Sequence, residues 1–401
     1  MDFAQQGDIA TLHQFTDRKL TDLEAELADW TRVRPVTLVI PCLASEMDGP
    51  ALRRIVDEVG QAHYVDRVVI GLDLADADDH DRAKRFFSVL PQQHHVLWQD
   101  GPRLRGIEQQ LRNERISPAQ PGKGRNVWWC LGLALGRSEP GAVVLQDADV
   151  LDYSREMLAR LVYPIIHPTF GYVFSKGFYV RADGERMHGR VTRLLVAPLL
   201  RALQTMIDDA PFLDFLESFR YPLAGEVCMR SEALLALRVP ADWGLEIGML
   251  GEIHRNHRAA QVCQVEIAGT YDHKHQPVSS DDPSAGLHKM AIDLTKAVVK
   301  RLALEGRVLS TDHFRTLRAT YQRTALELVD RYHDDAVMNG LQYDRHQEAE
   351  VVDVFARAIS QAGDQFLVDP LDTPFMPSWA RVRSAVPDIH DRIADAVEAD
   401  G

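Results

Sequence analysis

Short apolar runs divided by polar, glycine- and proline-bearing segments fill the first two-thirds of the chain, and long stretches of helical period fill the rest. Leu20, Leu23 and Leu27 recur at helical spacing and Pro35 follows them, which predicts a helix over residues 8–32. Val36–Ile40 reads as a strand closed by Pro41, and a helix from about Gly49 to Gly60 leads to a second strand, "DRVVIGLD". A helix containing Arg82 to Leu90 and a third strand, "HHVLWQD", come next; "GKGRNVWWCLGLALG" opens another helix on glycine, and Ala142–Gln146 is again a strand. Strands alternating with helices predict βαβ units and an α/β fold with a mainly parallel sheet covered on both faces.

The middle is mixed. "FGYVFSKGFYVR" reads as two strands or one bent strand, "GRVTRLLVAPLLRALQTM" as a helix, "YPLAGEVCMRSEALLAL" as a loop and then a helix, and "GLEIGMLGEIHRNH" as a helix. "AAQVCQVEIAGTYDHKHQ" is a strand that ends in histidines. From about 284 to 361 the pattern is helical without alternating strands, and a proline-bearing tail ends in a last helix. The division expected is an N-terminal helix (1–33), an α/β body (34–282) and a helical C-terminal region (283–401).

Bulk properties narrow the partners. The chain has 401 residues, 26% of them charged, and a formal net charge of −14, which disfavours general nucleic-acid binding. No apolar run approaches the ~20 residues of a membrane span. The start, "MDFAQQGDIATLHQF", has neither the basic first residues nor the apolar core of a signal peptide. Cys42, Cys130, Cys228 and Cys263 are dispersed in apolar surroundings and read as reduced core residues of a cytoplasmic protein.

Candidate chemistry gathers in a few segments. In "VVLQDADVLDYS" an apolar strand ends in Asp147 and Asp149. Such a pair is either a strand-ending turn or a site for a hard cation at the carboxyl edge of the sheet, where ligands gather in open α/β folds. Lys123 in "GKGRN" stands at a helix start, which suits an anionic group, although the spacing is not that of a P-loop. His273 and His275 in "TYDHKHQPV" fall on one side of an extended segment; a zinc site there would need a third ligand such as His254 or His257, which the spacing does not support. Glu226 and Glu246 each lie among apolar residues, where a carboxylate needs a partner or a task. "GRVTR", Gly189 to Arg193, places Gly, Arg and Thr at a helix start, either as a cap or as a phosphate or carboxylate site.

Taken in order, "VIPCLASE", "PGKGRNVWW", "VVLQDADV", "HGRVTRLLVAPLL", "PLAGE", "GLEIGML" and "DHKHQP" resemble the retaining glucosyl-3-phosphoglycerate synthases and the related mannosyl-3-phosphoglycerate synthases, over about residues 35 to 290. The resemblance implies a GT-A fold with a nucleotide-sugar half to about residue 150, an acceptor half after it, and a helical extension that helps form a homodimer. It implies that Pro41, Leu43, Glu46 and Asp73 lie around the nucleoside, that Lys123 faces the donor phosphates and that Asp147 faces the ribose. Asp149 and His273 would hold Mg²⁺ or Mn²⁺. Leu223 and Glu246 would line the sugar, while Gly189, Arg190, Thr192 and His275 would hold the acceptor. "GLDLADADD" departs from the family's small-residue pattern after the second strand, and His275 stands where some members have Asn.

The activity expected is transfer of glucose from a nucleoside-diphosphate glucose to 3-phosphoglycerate with retention. Lys123, Leu223 and Glu246 would act at the reacting sugar; in the family, attack from the leaving-group face removes the need for a carboxylate nucleophile. Mannosyl transfer from GDP-mannose and direct transfer to unphosphorylated glycerate are the alternatives within the class. A non-catalytic nucleotide-sugar binder and a zinc hydrolase are the alternatives outside it.

Overall fold

The computed structural model describes residues 5, 7–116, 122–136, 141–270, 286–371 and 375–400. In chain order the main elements are β1 (Ala10–Leu12), α1 (Leu20–Trp30), β2 (Val36–Leu43), α2 (Pro50–Gly60), β3 (Arg67–Asp73), α3 (Ala77–Phe87), β4 (Gln93–Trp98), α4 (Pro102–Asn113), α5 (Lys123–Ala134), β5 (Ala142–Leu145), α6 (Arg155–Ile166) and β6 (Phe174–Val180). They continue as α7 (Ala197–Met206), α8 (Pro211–Glu217), β7 (Val227–Arg230), α9 (Ser231–Ala236), α10 (Leu245–Asn256), β8 (Val262–Thr270), α11 (Gly286–Leu304), α12 (Thr311–Met338), α13 (Arg345–Val368), α14 (Trp379–Ala385) and α15 (Ile389–Asp400).

The strands form one sheet in the order β1-β8-β6-β7-β5-β2-β3-β4. Among the described strands β7 alone runs against the rest, paired antiparallel with β5 and β6. The apolar runs dictate this arrangement, since all of β3 is buried, as expected of a strand covered on both faces. Alternate residues feed two apolar layers. Leu38, Ile40, Val68 and Ile70 join Leu27 of α1, Leu52 of α2 and Leu161 of α6. Val39, Val69 and Val143 join Val127 of α5, Leu250 of α10 and Val298 of α11.

Helix α5 is buried almost all round. A helix without a polar face must be covered on every side; the sheet covers one side and the tail covers the other. On the sheet side, a Cβ at Gly71 would fall 2.0 Å from Asn126 Oδ1, so only glycine permits this spacing. On the tail side, the Trp128 and Trp379 rings stack at 4.0 Å, and a Cβ at Gly132 would meet the Trp379 ring at 2.2 Å.

Several expectations change. The first helix begins at Leu20, and Ala10–Leu12 adds a strand to the sheet edge beside β8 instead of lying in a helix over 8–32. Pro41 does not close its strand: β2 stays paired with β3 to Leu43–Asp73 after pairing with β5 stops at Val39–Leu145, so a residue without an N–H is tolerated where one neighbour has gone. "EVCMR" contains β7, too short for alternation to show. "FGYVFSKGFYVR" is one strand, β6, with an irregularity between Phe178 and Val180. "GRVTR" opens on a π-helical turn, Val191–Val196, before α7. The boundary expected near 282 lies outside the described residues.

Candidate active site

The carboxyl ends of the parallel strands and the leading end of antiparallel β7 meet on one edge of the sheet, which brings distant motifs together. Asp147 follows β5, Gly225 and Glu226 precede β7, Lys123 begins α5, and Glu246 lies in the first turn of α10. Lys123 Nζ stands 2.7 Å from Asp147 Oδ1 and 3.2 Å from Glu246 Oε1. Burial pulls this amine down, but Asp147 and then Glu246 outweigh it and hold Lys123 above its ordinary pKa, so it stays charged.

Glycines make this convergence possible. A Cβ at Gly225 would fall 2.3 Å from the Asp147 carboxylate, and one at Gly124 would fall 1.9 Å from the Pro240 carbonyl oxygen. The Gly124 amide donates to Ala241 O at 3.1 Å, fixing the start of α5 against the segment that leads into α10. The glycines of "GKGRN" therefore serve close backbone approach as well as presenting Lys123.

Beneath this pair lies a buried polar layer. Glu226 is fully buried and accepts from Tyr179 OH at 2.7 Å and from Gln146 Nε2 at 3.3 Å. Burial and then Glu226 raise Tyr179, so its phenol remains a donor. Lys176, 1% exposed, donates to the Ala224 carbonyl and lines the same small cavity as Lys123, Asp147 and Glu246. Burial brings Lys176 down to about 8, opposed by Glu246 and Glu226.

Asp149 is pushed up to about 7 by burial and then by Asp147, with Lys123 opposing and Glu46 and Glu226 adding to the rise. Converging carboxylates that disfavour one another's charge are a suitable donor set for a hard divalent cation. Asp149 and the neighbouring acids thus fit Mg²⁺ or Mn²⁺ in chemistry. No cluster of three or more His, Cys, Asp or Glu is arranged to hold a metal among the described residues. His273, the other expected ligand, and His275 lie outside the described residues.

Of the residues expected around a nucleoside, Pro41 and the 39% exposed Leu43 end β2, and Glu46 follows in the short helical turn Ala44–Asp48. Asp73 ends β3; it is buried, accepts from Leu74 N at 3.0 Å, and is raised chiefly by that burial. Leu223 lies half-buried in the turn just ahead of Gly225.

The acceptor candidates lie on the segment that leads into α7. Gly189 has φ +72°, which favours glycine, and lets the chain turn into Arg190. Thr192 is buried and its hydroxyl has no partner among the described residues. Arg190 is bonded to Glu348 and Gln347 at the start of α13, a connection the sequence pattern did not announce. His254 lies at the far end of α10 from Glu246, roughly 12 Å along the axis, beside Phe212, Phe215 and Glu305, so it takes no part in a metal site with Asp149.

The sequence pattern did not single out Lys176, Tyr179, Gln146 or Glu348. A lysine inside the apolar strand "YVFSKGFYV" was a usable signal, because a lysine is seldom buried without a partner. Glu348 gave none, being one acid among many on a long helix.

Fold and site together define a class: a glycosyltransferase with the GT-A fold. No protein-family model matches the chain. The glucosyl-3-phosphoglycerate synthase of Persephonella marina is 40% identical over 399 residues, spanning 100% of this chain and 98% of that protein. The enzyme of the same name from Methanococcoides burtonii is 38% identical over 405 residues, with 100% and 98% covered. The chain belongs to the glucosyl-3-phosphoglycerate synthase family. Among solved structures, the glucosyl-3-phosphoglycerate synthase of Mycobacterium tuberculosis with Mn²⁺, uridine-diphosphate-glucose and phosphoglyceric acid is similar in fold, with TM-score 0.54 and 23% identity, covering 74% of this chain and 88% of that one.

Proposed function

We propose that the chain transfers glucose from UDP-glucose to 3-phosphoglycerate with retention of anomeric configuration. The observation that carries the reading is Lys123 bridging Asp147 and Glu246 at the sheet edge, where donor phosphate, ribose and sugar would converge. Pro41, Leu43, Glu46 and Asp73 would flank the nucleoside, and Asp147 the ribose. Lys123 would exchange part of its carboxylate pairing for the donor diphosphate and stabilise the charge that builds there as the glycosidic bond breaks. Glu246 would orient the sugar hydroxyls across from Leu223. Asp149, with His273, would hold a divalent ion, which when bound neutralises the leaving diphosphate as a Lewis acid.

Arg190 and Thr192, after the turn at Gly189, and His275 would hold the acceptor's anionic groups. With the acceptor hydroxyl on the leaving-group face, the departing phosphate oxygen can take its proton. On this reading the nucleotide-sugar half runs to about residue 150 and the acceptor half to about 282, with the helical region beyond. A homodimer is supported by the apolar surface on that region, where Val337, Met338 and Val368 are exposed. The four free cysteines are all buried, which suits a cytoplasmic setting. No helix among the described residues is long and apolar enough to cross a membrane.

The test is a matrix of UDP-, GDP- and ADP-sugars against 3-phosphoglycerate and glycerate, with products identified by mass. Glucosyl-3-phosphoglycerate from UDP-glucose is the expected leading product. A preference for GDP-mannose or for free glycerate would replace the donor or the acceptor in this reading.

A further inference from the structure

Glu348, in the first turn of α13, is 3% exposed and accepts from two arginines, Arg190 Nε at 2.6 Å and Arg193 Nη2 at 3.0 Å. A buried carboxylate requires such partners, and two guanidinium groups against one carboxylate leave an excess of positive charge. Arg193 is held as part of the structure: its Nε donates to the His188 carbonyl at 2.8 Å, and its guanidinium lies 4.9 Å from the Tyr332 ring and 5.7 Å from that of Tyr343. Arg190 differs, because its side chain is 32% exposed. Its bonds to α13 use Nε and Nη2, the latter reaching the exposed Gln347 at 3.1 Å. A guanidinium carries five N–H donors in a rigid plane, so the end-on fork of Nη1 and Nη2 keeps donors that these two bonds do not use.

The start of α13 is a firm support. Asp344 caps it, accepting from His346 N at 2.9 Å and Gln347 N at 3.1 Å. The loop that leads to Gly189 is docked on the same connection, with Gln342 N donating to Glu185 O at 2.7 Å. We infer that Glu348 is a positioning residue for the acceptor: from α13 it grips the side edge of Arg190 and so presents the guanidinium fork to the acceptor's phosphate or carboxylate. The helical C-terminal region thereby contributes to acceptor selection. The inference rests on the acceptor role proposed above for Arg190.

The experiment is steady-state kinetics with UDP-glucose and 3-phosphoglycerate on the full chain, comparing wild type with Glu348→Gln, Gln347→Ala, Arg190→Ala and the Arg190→Ala/Glu348→Gln double variant. Glu348→Gln is expected to raise the acceptor KM about tenfold while donor KM stays within about twofold. Gln347→Ala, at an exposed position, is expected to raise it about threefold. On the Arg190→Ala background Glu348→Gln should add nothing further to acceptor KM, because the two act through one contact. A purely structural Glu348 would instead shift thermal stability and both KM values, and its effect would add to that of Arg190→Ala; that pattern overturns the inference. If Arg190→Ala raises acceptor KM and Glu348→Gln does not, the inference fails while the role of Arg190 stands. If Arg190→Ala leaves acceptor KM unchanged, both fail. Should Glu348→Gln not fold, Gln347→Ala decides: a rise confined to acceptor KM supports the inference, and no rise overturns it.

Discussion

Two lysines share the sheet edge and differ in what they face. Lys123 touches two carboxylates and stays charged, whereas Lys176 is sealed in the floor with a backbone carbonyl as its hydrogen-bond acceptor. Lys123→Ala is expected to lower kcat/KM by ~10²–10³ with little effect on folding; a change under about twofold would show that the bridge is only a surface ion pair. Lys176 carries a pH prediction. Its folded pKa of about 8 lies below the unfolded value of ~10.4, so between those values the unfolded chain binds the extra proton and stability rises with pH. The penalty is fully present below about pH 8, and Lys176→Met should remove that rise from denaturation midpoints measured between pH 8 and 10.5. An unaltered slope in the variant would mean that Lys176 titrates as an ordinary lysine. At this scale the sequence exposed Asp147, Lys123 and Glu246 because each breaks an apolar pattern at an element's end. It hid Tyr179 and Glu348, because their roles depend on partners 47 and 158 residues away.

At the scale of elements, α5 is the part on which the site depends, since its first residue is Lys123 and its body lies between sheet and tail. Trp379 Nε1 donates to Trp128 O at 3.1 Å, Trp128 Nε1 donates to Pro377 O at 2.7 Å, and His390 Nδ1 meets Gly132 O at 2.8 Å. The last helices therefore cover α5 on the side away from the sheet. Trp379→Ala should cost ~3–5 kcal/mol, the usual loss for a buried tryptophan, and should lower activity through misplaced Lys123. Denaturant midpoints and donor KM check this together; a destabilised variant with unchanged donor KM would separate tail packing from the site. The parallel strands were legible because buried β3 and β5 are nearly continuous apolar runs between polar breaks. β1 and β7 were not, since three or four residues set no period and their pairing is decided by β8 and by β5 and β6. The path of the tail back onto α5 was also hidden, because nothing local in "PSWARVRSA" says which helix the tryptophan will cover.

For the whole molecule the question is how a chain with formal net charge −14 binds two anionic substrates. Its general field repels them at range, so capture must come from short-range positive charge inside the cleft. On the roles proposed above, Lys123 and Lys176 would supply part of it on the donor side and Arg190 on the acceptor side, but Asp147, Asp149, Glu226 and Glu246 outnumber the two lysines. Without a divalent ion the donor diphosphate would meet an edge where four acids face two lysines. Nucleotide affinity should therefore depend on metal. In excess EDTA, transfer should be abolished and UDP should give little thermal protection. With Mn²⁺ present, UDP at about 100 times its Kd should stabilise the fold by ~2.7 kcal/mol. Asp149→Ala should abolish the metal-dependent part of that shift while leaving the midpoint without ligand near wild type, because Asp149 is half-buried and not part of the apolar core. Equal protection by UDP with and without metal would place the diphosphate on Lys123 alone and remove Asp149 from the donor site.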